Sequence, residues 1–205
     1  ESSTLNIGNL TSWINKFTIE EDSELQEIKD SFKISIIGDD IEELSSIFPE
    51  LVSLEKGSFV DVNIESTRYL IGRHELFNGQ ESIDFICLEG GSRNKFKQII
   101  LQKTKIQEKD NEAFELFRIK NLIPATGKEI TNSYNPLDLS LERFVDFSKG
   151  CYVGQEVVAR LNTYNKVQNI MRTVKLDDED LSVKGTKITS SSGEYGIAIS
   201  KRKFL

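Results

Sequence analysis

Histidine, cysteine and methionine are almost missing from this chain. Its 205 residues hold one histidine (His74), two cysteines (Cys87 and Cys151) and one methionine (Met171). Two cysteines build no disulfide framework, so a reducing, cytosol-like compartment is expected. One imidazole and no close Cys/His spacing argue against a structural zinc site, and against an iron–sulfur cluster held by this chain alone. No apolar run approaches the roughly 20 residues that cross a bilayer, and no signal-peptide pattern opens the sequence. Basic surplus is lacking too. Lys and Arg number 26 against 33 Asp and Glu, a net charge of −7, which disfavours general binding to nucleic-acid phosphates. Two local basic strips, Arg93 to Lys105 and Lys201-Arg202-Lys203, read as a solvated helix face and a solvated tail. Internal repeats and phosphate-cradling glycine motifs are absent. The start on Glu1 is expected of a fragment or processed product.

What is present is alternating helix and strand patterning. Leu10, Trp13, Ile14 and Phe17 recur at helical spacing. Phe32, Ile34 and Ile36 alternate with polar residues and end at Gly38, predicting a strand. Asp39 or Asp40 is placed to cap a helix over 41–48, stopped by Pro49. Val60, Val62 and Ile64 predict a strand, "RYLIGR" its hairpin partner, with Glu65-Ser66-Thr67 near the turn. "SIDFICLE" predicts a core strand in which Cys87 is a small buried thiol. Ser92 opens a helix that turns Phe96, Ile99 and Ile100 inward. The order helix, strand, helix, strand, strand, strand, helix implies an α+β unit, its antiparallel sheet covered by helices on one face. A second unit begins near Asp110. There Ala113, Leu116 and Phe117 share a helical face, and Pro124 and Gly127 then break the pattern. Asn135 and Pro136 signal a further helix start, with Leu137, Leu141, Phe144 and Val145 as its stripe. Ile170, Arg172, Val174 and Leu176 alternate as a strand, and "YGIAI" predicts a last one. Together they suggest a small, barrel-like C-terminal β unit.

One stretch is chemically unusual: "FSKGCYVGQEVVARL", residues 147–161. Gly150 and Gly154 allow a sharp turn. Val157, Val158 and Leu161 then mark a helix, with Glu156 in its first turn and Arg160 in ion-pair range. Cys151 stands just ahead of that helix and two residues after Lys149. Both neighbours favour the thiolate. Local physics leaves open whether Cys151 is a reactive thiol or a small thiol in a tight turn. A Cys–His hydrolase needs an imidazole beside the sulfur. His74 lies in the other unit and reads as a surface residue. Glu142 and Asp146, four apart, are either paired acids or a solvated helix face.

"KGCYVGQE" with Arg160 following resembles the signature of the folate-binding YgfZ-type proteins, which belong to the family of the glycine-cleavage T-protein, an aminomethyltransferase. "FRIKNLIPATGKEI", the Asn-Pro start and "VDFSKG" stand in that family's order. The resemblance is sharp over Phe117 to Arg160 and diffuse elsewhere. It implies a ring of two α+β units and a C-terminal β-barrel around a reduced folate such as tetrahydrofolate. On that template residues 1–107 form the second α+β domain and 108–167 the closing half of a discontinuous first domain, its opening half absent. Residues 168–205 form a short β unit. The open sheet edge left behind predicts self-association. The resemblance further implies a factor for assembly or repair of iron–sulfur enzymes and, through them, tRNA modification. Client or assembly proteins would be its partners. A thiol at Cys151 favours that role over glycine cleavage itself, since the simple T-protein lacks it. An aminomethyltransferase and a ligand-free scaffold are the alternatives. Cys151 and Lys149 are the implied working residues. Arg118, Tyr152, Gly154, Gln155, Glu156 and Arg160 are the implied folate contacts. One position departs. The family's glutamate that grips the pterin is here Lys120, whose ammonium donates hydrogen bonds but accepts none.

Overall fold

The computed structural model describes residues 7–18, 25, 27–28, 30–38, 41–76, 79–88, 90–164, 166–177 and 184–204. The chain divides into two compact units, Glu1–Gln107 and Glu108–Leu205. Both are α+β with antiparallel sheets.

In the first unit the elements run α1 (Ile7–Phe17), β1 (Phe32–Ile37), α2 (Ile41–Ser45), β2 (Ser58–Ile64), β3 (Thr67–Glu75), β4 (Glu81–Cys87) and α3 (Arg93–Lys103). This is the order that the patterning predicts. The sheet order is β1-β4-β3-β2, antiparallel throughout. β2 and β3 meet at the pair Ile64↔Thr67, with Glu65 at φ 48° and Ser66 at φ 68°. Two consecutive positive φ angles give the tight turn that matches the strands' own twist. Alternation sends Tyr69, Ile71, Ile83, Phe85 and Cys87 to one face, where Phe96 and Ile100 of α3 meet them. Aromatic rings fill that interior, Tyr69 stacking on Phe96 at 4.6 Å and Phe48 tilting on Phe85 at 4.9 Å. Burial, with Cys87 alongside, pushes the Tyr69 hydroxyl up to about 12. Cys87 is fully buried, as its strand position implies.

Two details differ from the sequence pattern. The helix expected over 41–48 stops at Ser45 and is followed by a 3-10 turn at Pro49–Val52. Pro49 forces its predecessor out of helical geometry, and Phe48 sits at φ −123°, ψ 85°. The capping role weighed for Asp39 and Asp40 lies outside the described residues.

The second unit contains α4 (Asn111–Lys120), two 3-10 turns (Pro136–Leu139 and Glu142–Phe144), α5 (Gln155–Thr163), and strands β5 (Asn169–Lys175), β6 (Lys187–Ser192) and β7 (Tyr195–Lys201). The strands form an antiparallel sheet in the order β5-β7-β6. Among the described residues β5 and β6 do not pair with each other, so this sheet is open. Ile119 of α4, Leu139, Met171, Ile197 and Ile199 form its core. The strand read from the alternation of Ile170, Arg172 and Val174 is present as β5, and packing decides its buried face. Met171 is buried and Ile170 is 38 % exposed, although Val174 is buried as well. The Thr173 hydroxyl donates to the Ile119 carbonyl at 2.8 Å, which fixes which face of β5 meets α4.

The helix expected after Asn135 is also corrected. Asn135 does cap, its side chain accepting from the N–H groups of Leu137 (2.9 Å) and Asp138 (3.1 Å). Asp138 answers by accepting from the Asn135 N–H at 3.2 Å, which completes a capping box. Ser140 then adopts φ 55°, ψ 40°, which ends the turn at once. The supposed stripe is broken, and Phe144 is left 61 % exposed. Glu142 and Asp146 do not share a helix face.

Candidate functional site

The unusual stretch forms one turn ahead of α5. Asp146 opens it, accepting from the Ser148 N–H (2.8 Å) and Ser148 hydroxyl (2.7 Å). Those Ser148 bonds, with Lys149 nearby, hold its carboxyl below the usual range. Gly154 takes φ 87°, a backbone state that side-chain-bearing residues resist. Its carbonyl accepts from Val157 and Val158, so it starts the helix. Gln155 locks the turn from both sides. Its N–H donates to the Tyr152 carbonyl, and its side-chain oxygen accepts from the Tyr152 N–H, each at 3.2 Å. Gly150 has open space around it and no positive φ, so the turn requires only one of the two glycines.

Cys151 sits at the outer side of this turn, exposed to solvent. Lys149 places its ammonium over the Tyr152 ring, 4.6 Å from the centroid. Lys149, Cys151, Tyr152, Gly154 and Gln155 are thus brought together. Glu156 and Arg160 both lie exposed on α5, and no ion pair joins them. Val153 in the turn is 87 % and Val157 in the first turn of α5 51 % exposed, so both present apolar surface to solvent.

Arg118 is engaged elsewhere. It is 3 % exposed, and each of its five N–H donors has a partner. Nε and Nη2 fork onto the two oxygens of Glu115, Nη1 donates to Glu129 (3.1 Å) and to the Ile123 carbonyl (3.2 Å), and Nη2 also donates to the Ser190 hydroxyl (2.6 Å). Glu129, fully buried, accepts in addition from the Ala125 N–H (3.0 Å), the Thr189 hydroxyl (2.6 Å) and the Ser190 hydroxyl (2.6 Å). An irregularity in the β6 register between Ile188 and Ser190 lets neighbouring hydroxyls both reach Glu129. Burial pushes the Glu129 carboxyl up, but the Ser190, Thr189 and Ala125 hydrogen bonds and the Arg118 charge outweigh it and leave it below the usual range. Burial likewise pulls Arg118 down, and its two carboxylates more than reverse this. A guanidinium held this way has no donor left for a ligand, so the ligand contact implied for Arg118 is corrected to a structural role.

Lys120 lies two residues on, its ammonium 4.6 Å from the centroid of the Tyr195 ring. Glu129 escaped the sequence reading because a glutamate after Gly127 resembles any polar turn residue. Its partners on β6 lie about 60 positions away, and no local spacing announces them.

No family model matches the sequence. Curated relatives do. A tRNA-modifying protein YgfZ of Vibrio atlanticus is 28 % identical over 183 residues, covering 83 % of this chain and 53 % of that protein. An aminomethyltransferase of Aquifex aeolicus is 27 % identical over 101 residues (49 % and 27 %). An iron–sulfur cluster assembly factor IBA57 homologue of Dictyostelium discoideum is 30 % identical over 90 residues (42 % and 22 %). The chain is similar to the YgfZ and aminomethyltransferase proteins. It spans about half the length of the YgfZ relative and about a quarter of the other two. Among the described residues no helix of this YgfZ-like chain is long and apolar enough to cross a membrane. Among the described residues, no group of three or more His, Cys, Asp or Glu could hold a metal ion.

Proposed function

We propose that this chain is the working part of an aminomethyltransferase-like accessory factor for iron–sulfur cluster assembly or repair, with Cys151 as its working thiol. The observation that carries the reading is the exposed Cys151 in the hydrogen-bonded glycine turn ahead of α5, two residues after Lys149. A thiol held there is open to a partner protein and to the iron or sulfur that the partner delivers. Lys149 sets positive charge beside the turn, suited to the anionic character of thiolate-bound clusters. Relatives named for cluster assembly and tRNA modification support the class of process. The clients, and any effect on tRNA, belong to the same proposal. So does self-association through the open edges β5 and β6, read out by light scattering. A cytoplasmic or organelle-matrix setting is part of the same proposal.

A reduced folate fits poorly at the residues implied for pterin recognition. The aminopyrimidine edge of a pterin asks for a carboxylate that accepts two hydrogen bonds, and Lys120 only donates. Arg118 is engaged by Glu115 and Glu129. This misfit favours a second reading, a scaffold of the same fold that works without the ligand. Calorimetric titration of the full-length protein with tetrahydrofolate separates the two, micromolar binding removing the scaffold reading.

The test of the thiol is genetic. In cells lacking the factor, full-length protein carrying Cys151→Ala should fail to restore the activity of iron–sulfur enzymes, at unchanged protein level. Full rescue by that variant would overturn the proposal.

A further inference from the structure

The second unit contains a cleft that the thiol chemistry leaves unused. It encloses about 280 Å³ at the C-terminal end of α5, between the helix, the two 3-10 turns and the start of β5. Its polar lining is Ser140 and Glu142 of the turns, Asn162 of α5 and Asn169 of β5. Leu137, Leu161, Val167 and Ile170 give an apolar wall, and Arg202 completes the lining. Along an α-helix the distance from Cys151 to this end is on the order of 15 Å, so the cleft is separate from the thiol turn.

Backbone hydrogen bonds fix its walls. Asp138, itself buried, accepts from the Asn169 N–H at 3.0 Å and from the Asn135 side chain at 2.6 Å, which clamps β5 to the turn. The Lys166 N–H donates to the Leu161 carbonyl at 3.0 Å and closes the helix end. Ser140 is held in the left-handed region, a backbone state that costs energy in a non-glycine residue and clusters at functional sites. The polar side chains of the lining are not consumed in holding these walls. Among the described residues, those of Ser140, Glu142, Asn162 and Asn169 have no hydrogen-bond or ion-pair partner within the chain.

The mixed charge of the lining disfavours a charged ligand. An anion would be repelled by Glu142 and a cation by Arg202. Arg202 already interacts within the chain; it adds charge to the lining and need not touch a ligand. Two side-chain amides and a hydroxyl can both donate and accept, while a carboxylate only accepts. That set suits a neutral ligand with several neighbouring hydroxyls. Among the described residues no aromatic side chain lines the cleft. A planar base, held by stacking on aromatic rings, lacks its platform here, whereas the C–H face of a saturated ring packs well on Leu and Ile. The volume lies just under the range of roughly 300–1,000 Å³ that holds drug-sized ligands, so the ligand is small, one ring and not a chain. We propose that this cleft binds a neutral monosaccharide unit through a vicinal diol. Glu142 accepts from the two adjacent hydroxyls, Asn162 and Asn169 supply further donors and acceptors, and the apolar face of the ring lies against Leu161 and Ile170. A free pyranose and the ribose of a nucleoside both present such a diol.

The experiment is an NMR titration of this chain with methyl α-D-glucopyranoside and methyl β-D-ribofuranoside, one for each source of the diol, up to roughly 10 mM, ten times a 1 mM Kd. At least one of them should shift the amides of Asn162 and Asn169 saturably, and the tighter of the two identifies the source. Deoxy forms of the glycosides that keep no vicinal pair of hydroxyls should bind at least tenfold more weakly. Glu142→Ala and Asn162→Ala should each weaken binding at least tenfold. Both residues are exposed, so these changes leave the fold intact. Cys151→Ala should bind as the parent does, which keeps this result independent of the thiol proposal. No saturable shift with either glycoside, deoxy forms that bind equally well, or unchanged affinity in either cleft variant would overturn it.

Discussion

Replacing Arg118 by methionine separates a structural arginine from a ligand-binding one. Methionine keeps much of the length and apolar bulk of the side chain while removing every donor. Arg118→Met leaves Glu129, fully buried, with its bonds from Ala125, Thr189 and Ser190 but without a counter-charge. Breaking a buried ion pair by deleting one partner costs about 3–5 kcal/mol. The three surviving hydrogen bonds to Glu129 place the expected loss near the lower end, about 3 kcal/mol. Glu115, a quarter exposed and still paired with Lys128, adds little. For a unit of this size each kcal/mol moves Tm by roughly 4–8 °C, so the second unit should melt about 12–24 °C lower. Urea titration followed by far-UV circular dichroism measures the loss. Hydrogen exchange should place it in α4 and β6, the elements that the network ties together. The double variant Arg118→Met/Glu129→Leu should recover part of it, because removing both charges of a buried pair is far cheaper than removing one. A loss below about 1 kcal/mol, together with weakened tetrahydrofolate binding in the full-length protein, would refute the structural assignment.

Three further outcomes are expected. The Arg118 hydrogen bond, with Lys128 beside it, holds the Glu115 carboxyl down at about 2, from its ordinary 4.5. A depressed carboxyl stabilises the fold fully above its unfolded pKa and loses that contribution as pH falls through its folded one. Partial exposure screens it, leaving about 1–2 kcal/mol. The urea midpoint of the parent should fall between pH 4.5 and 2, and Glu115→Gln should flatten that slope; equal slopes would count against the pairing. Thiol labelling of the native protein should modify Cys151 quickly and Cys87 only on unfolding, and fast reaction of both would contradict the burial of Cys87. Gly91→Ala should cost about 1–3 kcal/mol, as its Cβ would lie 2.4 Å from the buried Cys87 sulfur. Gly72→Ala should cost less, since the clash there is with the exposed Phe59 ring, which can swing away. Chemical denaturation of both variants checks the order.

What could be read in the chain divides by the range of the interaction. Strand alternation from Phe32 to Cys87 and the Ser92 cap depend on neighbours within a few residues, and the first unit follows them element by element. The cap at Asn135 is legible for the same reason, its side chain reaching backbone N–H groups two and three positions on. The Asn135 helix then fails through Ser140, because apolar spacing says nothing about a single residue turning left-handed. The buried face of β5 is not legible locally, since Ile119 of α4 decides which side of an ambiguous strand is covered. Arg118 is the most instructive case. Its place in "FRIKNLIP" suggests a ligand contact, and only the fold shows that Glu129 and Ser190, 11 and 72 positions away, take up its donors. Cys151 lies between these extremes. Its turn is local, and the pattern of Gly154 and Gln155 announces it. Whether its sulfur faces solvent or hydrocarbon depends on what packs over the turn, and a local pattern does not encode that. The fold leaves this thiol exposed, and chemistry between proteins requires that exposure.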